Sequence, residues 1–254
     1  MRKNSTKLII LAVIAIVCMA LFALYNIQGG FSYAFPKRLE RLAAMVMTGT
    51  AIAFASVIFQ TITHNRLLTP SVMGIDSMYE VVQTVIYFTA GSASIFVVSR
   101  YLNFGTAIIA MILFALLLYR FLFRADKYPI FLLLLAGMIL GTLLGSLVTF
   151  MQVLIDPVEY ESLQARLFAS FMNVKTELLL IASLILGASF IYGHRLLRDL
   201  DVVSLGRDNA INLGVAYDKI VLKVLILSSI LIATSTALVG PVTFLVLIVA
   251  HLAY

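Results

Sequence analysis

Ile130 to Leu154, I-F-L-L-L-L-A-G-M-I-L-G-T-L-L-G-S-L-V-T-F-M-Q-V-L, carries no charged side chain from end to end. As a helix rising 1.5 Å per residue it covers roughly 37 Å, more than the ~30 Å hydrocarbon core of a bilayer. The stretch therefore reads as a membrane span. Its glycines Gly137, Gly141 and Gly145, with Ser146 beside the last, recur at helical spacing and suit close packing of helices rather than ligand binding.

The rest of the chain has the same character. Of its 254 residues 62% are hydrophobic and 12% charged, with a mean hydropathy of +1.07, against about 45–50% and about 25% in ordinary soluble domains. So little charge cannot give a folded chain a polar surface unless lipid covers most of the exterior. Apolar runs at 8–25, 42–62, 81–98, 104–123, 178–192 and 220–239 join 130–154 as spans. An eighth begins at Val242 and reaches Tyr254 with about a dozen residues, some 18 Å of helix and short of a full crossing. The expectation is an all-α polytopic transmembrane bundle, one domain over 1–254, of about seven complete spans plus a partial eighth. Basic residues before Leu8 resemble the start of a signal peptide, but the run that follows is nearly long enough to cross, so it is taken as an uncleaved first span.

The net charge of +6 does not point to nucleic acid, because Lys and Arg sit at the ends of apolar runs rather than among stacking aromatics. They read as topogenic. Arg2, Lys3 and Lys7 precede the first span, Arg120, Arg124 and Lys127 follow the fourth, and Arg195, Arg198, Arg207, Lys219 and Lys223 lie between the sixth and seventh. Alternating spans put all of these on one side, the cytoplasm, with the N-terminus there. Lys37, Arg38 and Arg41, beside Glu40, fall outside. So does the segment Asp156 to Glu177, whose amphipathic part from Leu163 to Met172 is expected as an external interfacial helix. Arg38, Arg41, Glu159 and Glu161 are expected to pair by charge with an external partner.

Two cytoplasmic stretches look ordered rather than merely charged. In Gln60 to Ser77, Asn65, Pro70 and Gly74 interrupt the helix, Pro70 fitting the first turn of a new one. In Leu200 to Tyr217, Ser204 reads as an N-cap, Asp208 adds negative charge at a helix start and Gly214 ends a helix over 204–214. A short capped helix between two spans suits a groove on a soluble partner.

The remaining candidates are weak. The single cysteine, Cys18, can form no intrachain disulfide and reads as a packing residue. His64, His194 and His251 make no ligand set. Met45, Met47, Met138 and Met151 read as core or lipid-facing. There is no G-x-x-x-x-G-K-[ST] for nucleotide, no H-E-x-x-H for zinc and no G-x-S-x-G elbow. No catalytic residue, metal ligand or cofactor is expected. The spans show almost no mid-membrane carboxylate, Asp76 and Glu80 standing near a span entrance, which argues against an ion-coupled carrier.

S-L-G-R-D-N-A-I-N-L-G-V (Ser204 to Val215) resembles the cytoplasmic coupling segment of the FecCD-type permeases, importers of iron-siderophores, haem and cobalamin. Leu205, Gly206, Ala210, Leu213, Gly214 and Val215 match in spacing. G-P-V-T-F-L (Gly240 to Leu245), with His251 and Leu252 after it, is also similar, as is N-R-L-L-T-P-S-V-M-G (Asn65 to Gly74). Arg66, where most of the family has Pro, resembles the branch serving catecholate-type siderophores. The sequence departs from the family at Val246, usually Gly, and in lacking the last two of ten spans.

The resemblance implies a permease in a bacterial inner membrane, surrounded by lipid. It implies a second permease subunit, the same or related, cytoplasmic ATPase subunits and an extracytoplasmic siderophore-binding protein. It assigns ATPase coupling to Ser204, Leu205, Gly206, Arg207, Asp208, Ala210, Leu213 and Gly214, and structural motif roles to Asn65, Pro70, Gly74, Gly240 and Pro241. The alternatives are a cobalamin or haem permease of the same family, a secondary transporter, and an inactive truncated copy.

Overall fold

The computed structural model describes residues 2–25, 31–65, 68–123, 130–172, 174 and 176–242. Among these every regular element is helical: α1 (Arg2–Leu24), α2 (Phe31–Thr63), a 3₁₀ turn (Pro70–Met73), α3 (Ile75–Ala90), α4 (Ile95–Val98) and α5 (Arg100–Phe123). They continue with α6 (Ile130–Leu154), α7 (Pro157–Leu167), α8 (Thr176–Val203), α9 (Arg207–Asn212) and α10 (Tyr217–Val239). Within α2, α5, α6, α8 and α10 lie stretches long and apolar enough to cross a membrane, and the apolar part of α1, Ile9–Leu24, is shorter.

α10 is the centre of the bundle. It packs against α2, α3, α5 and α8 and is buried along nearly its whole length, from Ile220 to Val239. A helix apolar all round has to be enclosed, here by other helices. The hydroxyls of Ser228, Ser229, Thr234 and Thr236 are satisfied locally or by neighbours, whereas the buried Ser235 hydroxyl has no hydrogen-bond partner among the described residues. Tyr119 of α5 donates to the Leu225 carbonyl at 3.0 Å, and its hydroxyl lies 2.7 Å from Ser229 Oγ. The outer helices show the reverse pattern. α1 exposes Ile10, Ile14, Val17 and Leu21, and α6 exposes Ile139, Leu143, Phe150 and Val153, as lipid-facing surfaces do.

The 3₁₀ turn and the start of α3 are seated against α6 by glycine. A Cβ on Gly74 would stand 2.8 Å from the Gly141 Cα, one on Gly137 2.9 Å from the Met73 Cα, and one on Gly141 3.0 Å from the Gly74 Cα. Backbone touches backbone, the arrangement that Gly-x-x-x-Gly permits. Gly145, the third of the set, faces open space. Gly137 is about 10 Å along α6 from its start at 1.5 Å per residue, so the broken backbone lies within the depth of that span. Within the expected broken segment Gln60 to Ser77, the part from Pro70 to Ile75 is thus packed inside the bundle. Pro70, Ser71, Met73 and Ile75 are buried there, and the turn closes through Val72 N–H to Thr69 O and Gly74 N–H to Ser71 O, both 3.1 Å.

Several expected boundaries change. The run 81–98 is not one span: α3 stops at Ala90, Gly91 takes φ 69°, and the chain resumes as the single turn α4. α2 begins at Phe31, which puts Lys37, Arg38 and Arg41 on its first turns. There Arg38 Nη1 donates to the carbonyls of Phe22 (3.0 Å) and Tyr25 (2.6 Å), so its charge sits at the carbonyl end of α1, as a helix C-terminus favours. α8 continues to Val203, carrying Arg195 and Arg198 on helix rather than loop. The helix expected to be external starts earlier in the chain, at Pro157, with Asp156 as its N-cap accepting from Val158 N–H at 2.9 Å, and it ends before Phe168. It is held against the bundle: Leu163 is fully buried, and Glu159 accepts from Ser92 N–H (2.7 Å) and Ser92 Oγ–H (2.9 Å). The partial eighth span expected from Val242 lies, after that residue, outside the described residues. So do Arg66, Arg124, Lys127, Val246, His251 and Leu252.

Gly141→Ala tests the seam. The added methyl meets backbone, which cannot rotate away, so stability falls by about 1–3 kcal/mol, read as a lower melting temperature of the protein purified in detergent. Gly145→Ala, in open space, leaves it nearly unchanged.

Candidate functional site

At one end of the bundle the chain leaves α8 and enters α10 through a compact projection. α8 finishes on buried Leu200 and Val203, and Leu205 and Gly206 donate their N–H groups back to Val202 O (3.1 Å) and Val203 O (3.0 Å). Gly206 takes φ 99° and ψ 162°, and α9 follows at once. At the far end Gly214 takes φ 83°. Gly214 N–H donates to Ile211 O at 2.9 Å and Val215 N–H to Ala210 O at 3.0 Å, the paired bonds of a Schellman motif. Both reversals use the left-handed region that a side chain disfavours. Two glycines thus set the length of α9 at under two turns.

α9 is held inward by Ala210, which is fully buried, while Leu205, Ile211 and Leu213 are 57%, 49% and 63% exposed. Exposed Arg207, Asp208, Asn209 and Asn212 surround these three apolar side chains. The segment keeps its shape without the patch: Asn209 Nδ2 donates to Leu205 O at 2.8 Å, and Arg207 lies 3.6 Å from Asp218 across to α10. That ion pair is more than half exposed at both partners and contributes under about 1 kcal/mol. An apolar patch on a short, pre-shaped helix is a docking surface rather than a reaction site.

The structure gathers Leu205, Gly206, Arg207, Asp208, Ala210, Leu213 and Gly214 in this projection. Ser204 differs from its expected role. It caps nothing, its hydroxyl donating to Asp201 O at 2.6 Å on the last turn of α8, and the N-cap position belongs to Gly206, which has no side chain to offer. The residues expected to be structural lie elsewhere. Asn65 is exposed just beyond α2. Pro70 opens the 3₁₀ turn and Gly74 closes it. Gly240 ends α10 with φ 100°, and a Cβ on it would stand 3.0 Å from the Ala169 Cα. Pro241 follows, half-buried.

Asp76, read from the sequence as a carboxylate near a span entrance, proves to be an interior group. It is 6% exposed, its Oδ1 accepting from the Thr236 hydroxyl at 2.8 Å. The only local signal was its place two residues beyond Gly74. At that level a cavity of about 440 Å³ is lined by Tyr79, Arg100, Asn103, Arg166 and Gly240 among others. No cluster of three or more potential metal ligands occurs among the described residues.

These features define first a class: a polytopic helical membrane protein with an exposed apolar patch on a short projection at one end. The chain belongs to the FecCD transport family, whose model matches residues 8–254. Over 251 residues it is 47% identical to the petrobactin import system permease protein YclO of Bacillus subtilis (strain 168), covering 99% of this chain and 79% of that one. It is 36% identical over 220 residues to the petrobactin import system permease protein FatC of Bacillus anthracis, covering 86% and 62%. A solved metal-chelate type ABC transporter in an inward-facing conformation superposes with a TM-score of 0.82 at 25% identity, over 97% of this chain and 79% of the other. The chain is thus a multi-pass membrane permease, and the family is one of transport subunits rather than enzymes.

Burial divides the projection into anchor and surface. Leu213→Asp and Ile211→Asp leave the stability of the purified protein within about 0.5 kcal/mol of wild type, whereas Ala210→Phe lowers it by about 1–3 kcal/mol. Thermal melts in detergent read the contrast.

Proposed function

We propose that this chain is the permease subunit of an ATP-binding-cassette importer that takes an iron(III)-siderophore across the bacterial inner membrane, its N-terminus in the cytoplasm. The observation that carries the reading is the Leu205–Gly214 projection, held rigidly between α8 and α10 with its apolar residues turned outward. The naming of two relatives as petrobactin import permeases supports a siderophore cargo. A separate ATPase subunit receives Leu205, Ile211 and Leu213 in a surface groove. When the ATPases close on nucleotide, α9 is displaced and carries α8 and α10 with it, because Ala210 and the two glycine turns allow little slack. A second permease subunit completes the pathway, and an extracytoplasmic binding protein delivers the cargo.

Of the four external charges expected at that binding protein, Arg38 is engaged by the end of α1 and Glu159 by Ser92. The docking pairs are therefore Arg41 and Glu161. The buried Asp76 is the observation that favours a second reading, an ion-coupled carrier, since ionisable groups within spans often mark coupling sites.

Two experiments test these assignments. In vesicles reconstituted with the cognate ATPase and binding protein, uptake of the ferric siderophore requires ATP and ignores a proton gradient; gradient-driven uptake without ATP would favour the second reading. Leu213→Asp inserts normally but abolishes uptake, and normal uptake by that variant excludes the projection as the ATPase contact. Separately, Arg41→Gln with Glu161→Gln weakens docking of the binding protein and flattens its salt dependence, measured by titration across ionic strength. An unchanged salt dependence removes these residues from the contact.

A further inference from the structure

Two interrupted helices meet inside the bundle. α3 starts at Gly74, against the middle of α6, and α10 stops at Gly240, against Ala169. The Thr236 hydroxyl, on the last turn of α10, donates to Asp76 Oδ1 on the first turn of α3 at 2.8 Å, and the two residues are 1% and 6% exposed. A carboxylate within a span is costly unless held, and an apolar pair of the same shape would bind two helices at least as well. The polar pair adds directionality: it fixes α3 and α10 at one register.

The far end of α3 is fastened in turn to α7. Tyr87 Oη and Ser162 Oγ lie 3.2 Å apart, Ser92 donates twice to Glu159, and Arg166 donates to the Val97 carbonyl at 2.7 Å while lying 5.9 Å over the Tyr87 ring. Glu159, Ser162 and Arg166 recur at i, i+3 and i+7, one face of α7. The other end of α10 carries α9. A continuous series of elements, α9, α10, α3 and α7, therefore joins the two ends of the bundle, its side-chain link between α10 and α3 being Thr236–Asp76, beside one backbone bond from Ser170 N–H to Val239 O (2.8 Å) that ties the end of α10 to the stretch after α7.

We infer that the Asp76–Thr236 hydrogen bond is the joint that makes α7 move with α9. This rests on the reading of α9 as the ATPase contact. Both are positioning residues, contributing only by keeping α3 in register with α10. Spatial continuity alone does not establish coupling, so the test reads the distant helix directly.

Hydrogen exchange of the α7 amides is measured on the full chain in liposomes without partners, for Thr236→Val, Asp76→Ala, Thr236→Ser and Asp76→Asn. Thr236→Val and Asp76→Ala speed exchange in α7 by about fivefold or more, and the two variants that keep a donor or an acceptor stay within about twofold of wild type. Thr236→Val carries the test if Asp76→Ala does not fold. With ATPase and binding protein added, Thr236→Val still hydrolyses ATP but imports several-fold less cargo per ATP. Unchanged α7 exchange, a uniform rise across all helices, or wild-type import per ATP in Thr236→Val would each overturn the inference. A wild-type complex that imports nothing with ATP sinks the functional reading instead, and the α7 exchange then still decides the joint.

Discussion

Contact between two pieces of backbone organises this bundle. Where the 3₁₀ turn gives way to α3, Met73 and Gly74 lie against Gly137 and Gly141 so closely that no Cβ fits between them. Non-helical backbone is tolerated at that depth only when protein encloses it and satisfies its polar groups. The glycine seam supplies the enclosure, and the turn's own hydrogen bonds supply the rest. From this seat α3 crosses only part of the bundle, its first turn reaching Thr236 of α10 and its last lying near α7. Filling the seam would displace α3, and with it the only described element that touches both the centre of the bundle and α7 through side-chain bonds.

The same economy of atoms shapes the working end. α9 is too short to be stable alone, yet it is defined because Gly206 and Gly214 reverse the chain tightly on either side and Ala210 fills the space beneath. What remains outward is apolar, and in a lipid-embedded protein an apolar patch on a loop between spans has to be covered by something other than the bilayer core. Under the proposed function that cover is an ATPase subunit, a reading supported by membership of a transport family with relatives named as import permeases. In the proposed mechanism the buried helix α10 is the lever, since it runs from the projection through the centre of the bundle.

Much of this was legible in the sequence. The uncharged run from Ile130 to Leu154 became α6 residue for residue, because a span needs only length and apolarity. Gly214 announced the end of α9, and Pro70 the start of the 3₁₀ turn, since each residue type has one backbone use at such places. The run 81–98 misled because apolarity continues across Gly91, and hydropathy does not register a change of φ. Ser204 misled because its hydroxyl found a nearer acceptor at the end of the preceding helix. Arg38 and Glu159 read as surface charges because their partners, the end of α1 and Ser92, are brought to them by tertiary packing. Asp76 was least legible: its partner lies 160 residues away, and only the folded bundle makes it an interior group.

The central claim is that the projection around α9 is where an ATPase grips this permease. A photo-crosslinking amino acid at Leu213, in membranes that contain the cognate ATPase and binding protein, tests it most directly. The expected result is a covalent adduct with the ATPase whose yield changes when ATP is added, while the same probe at exposed Phe150 on α6 gives none. Labelling at Leu213 that yields only lipid adducts, with the ATPase present and active, would contradict it.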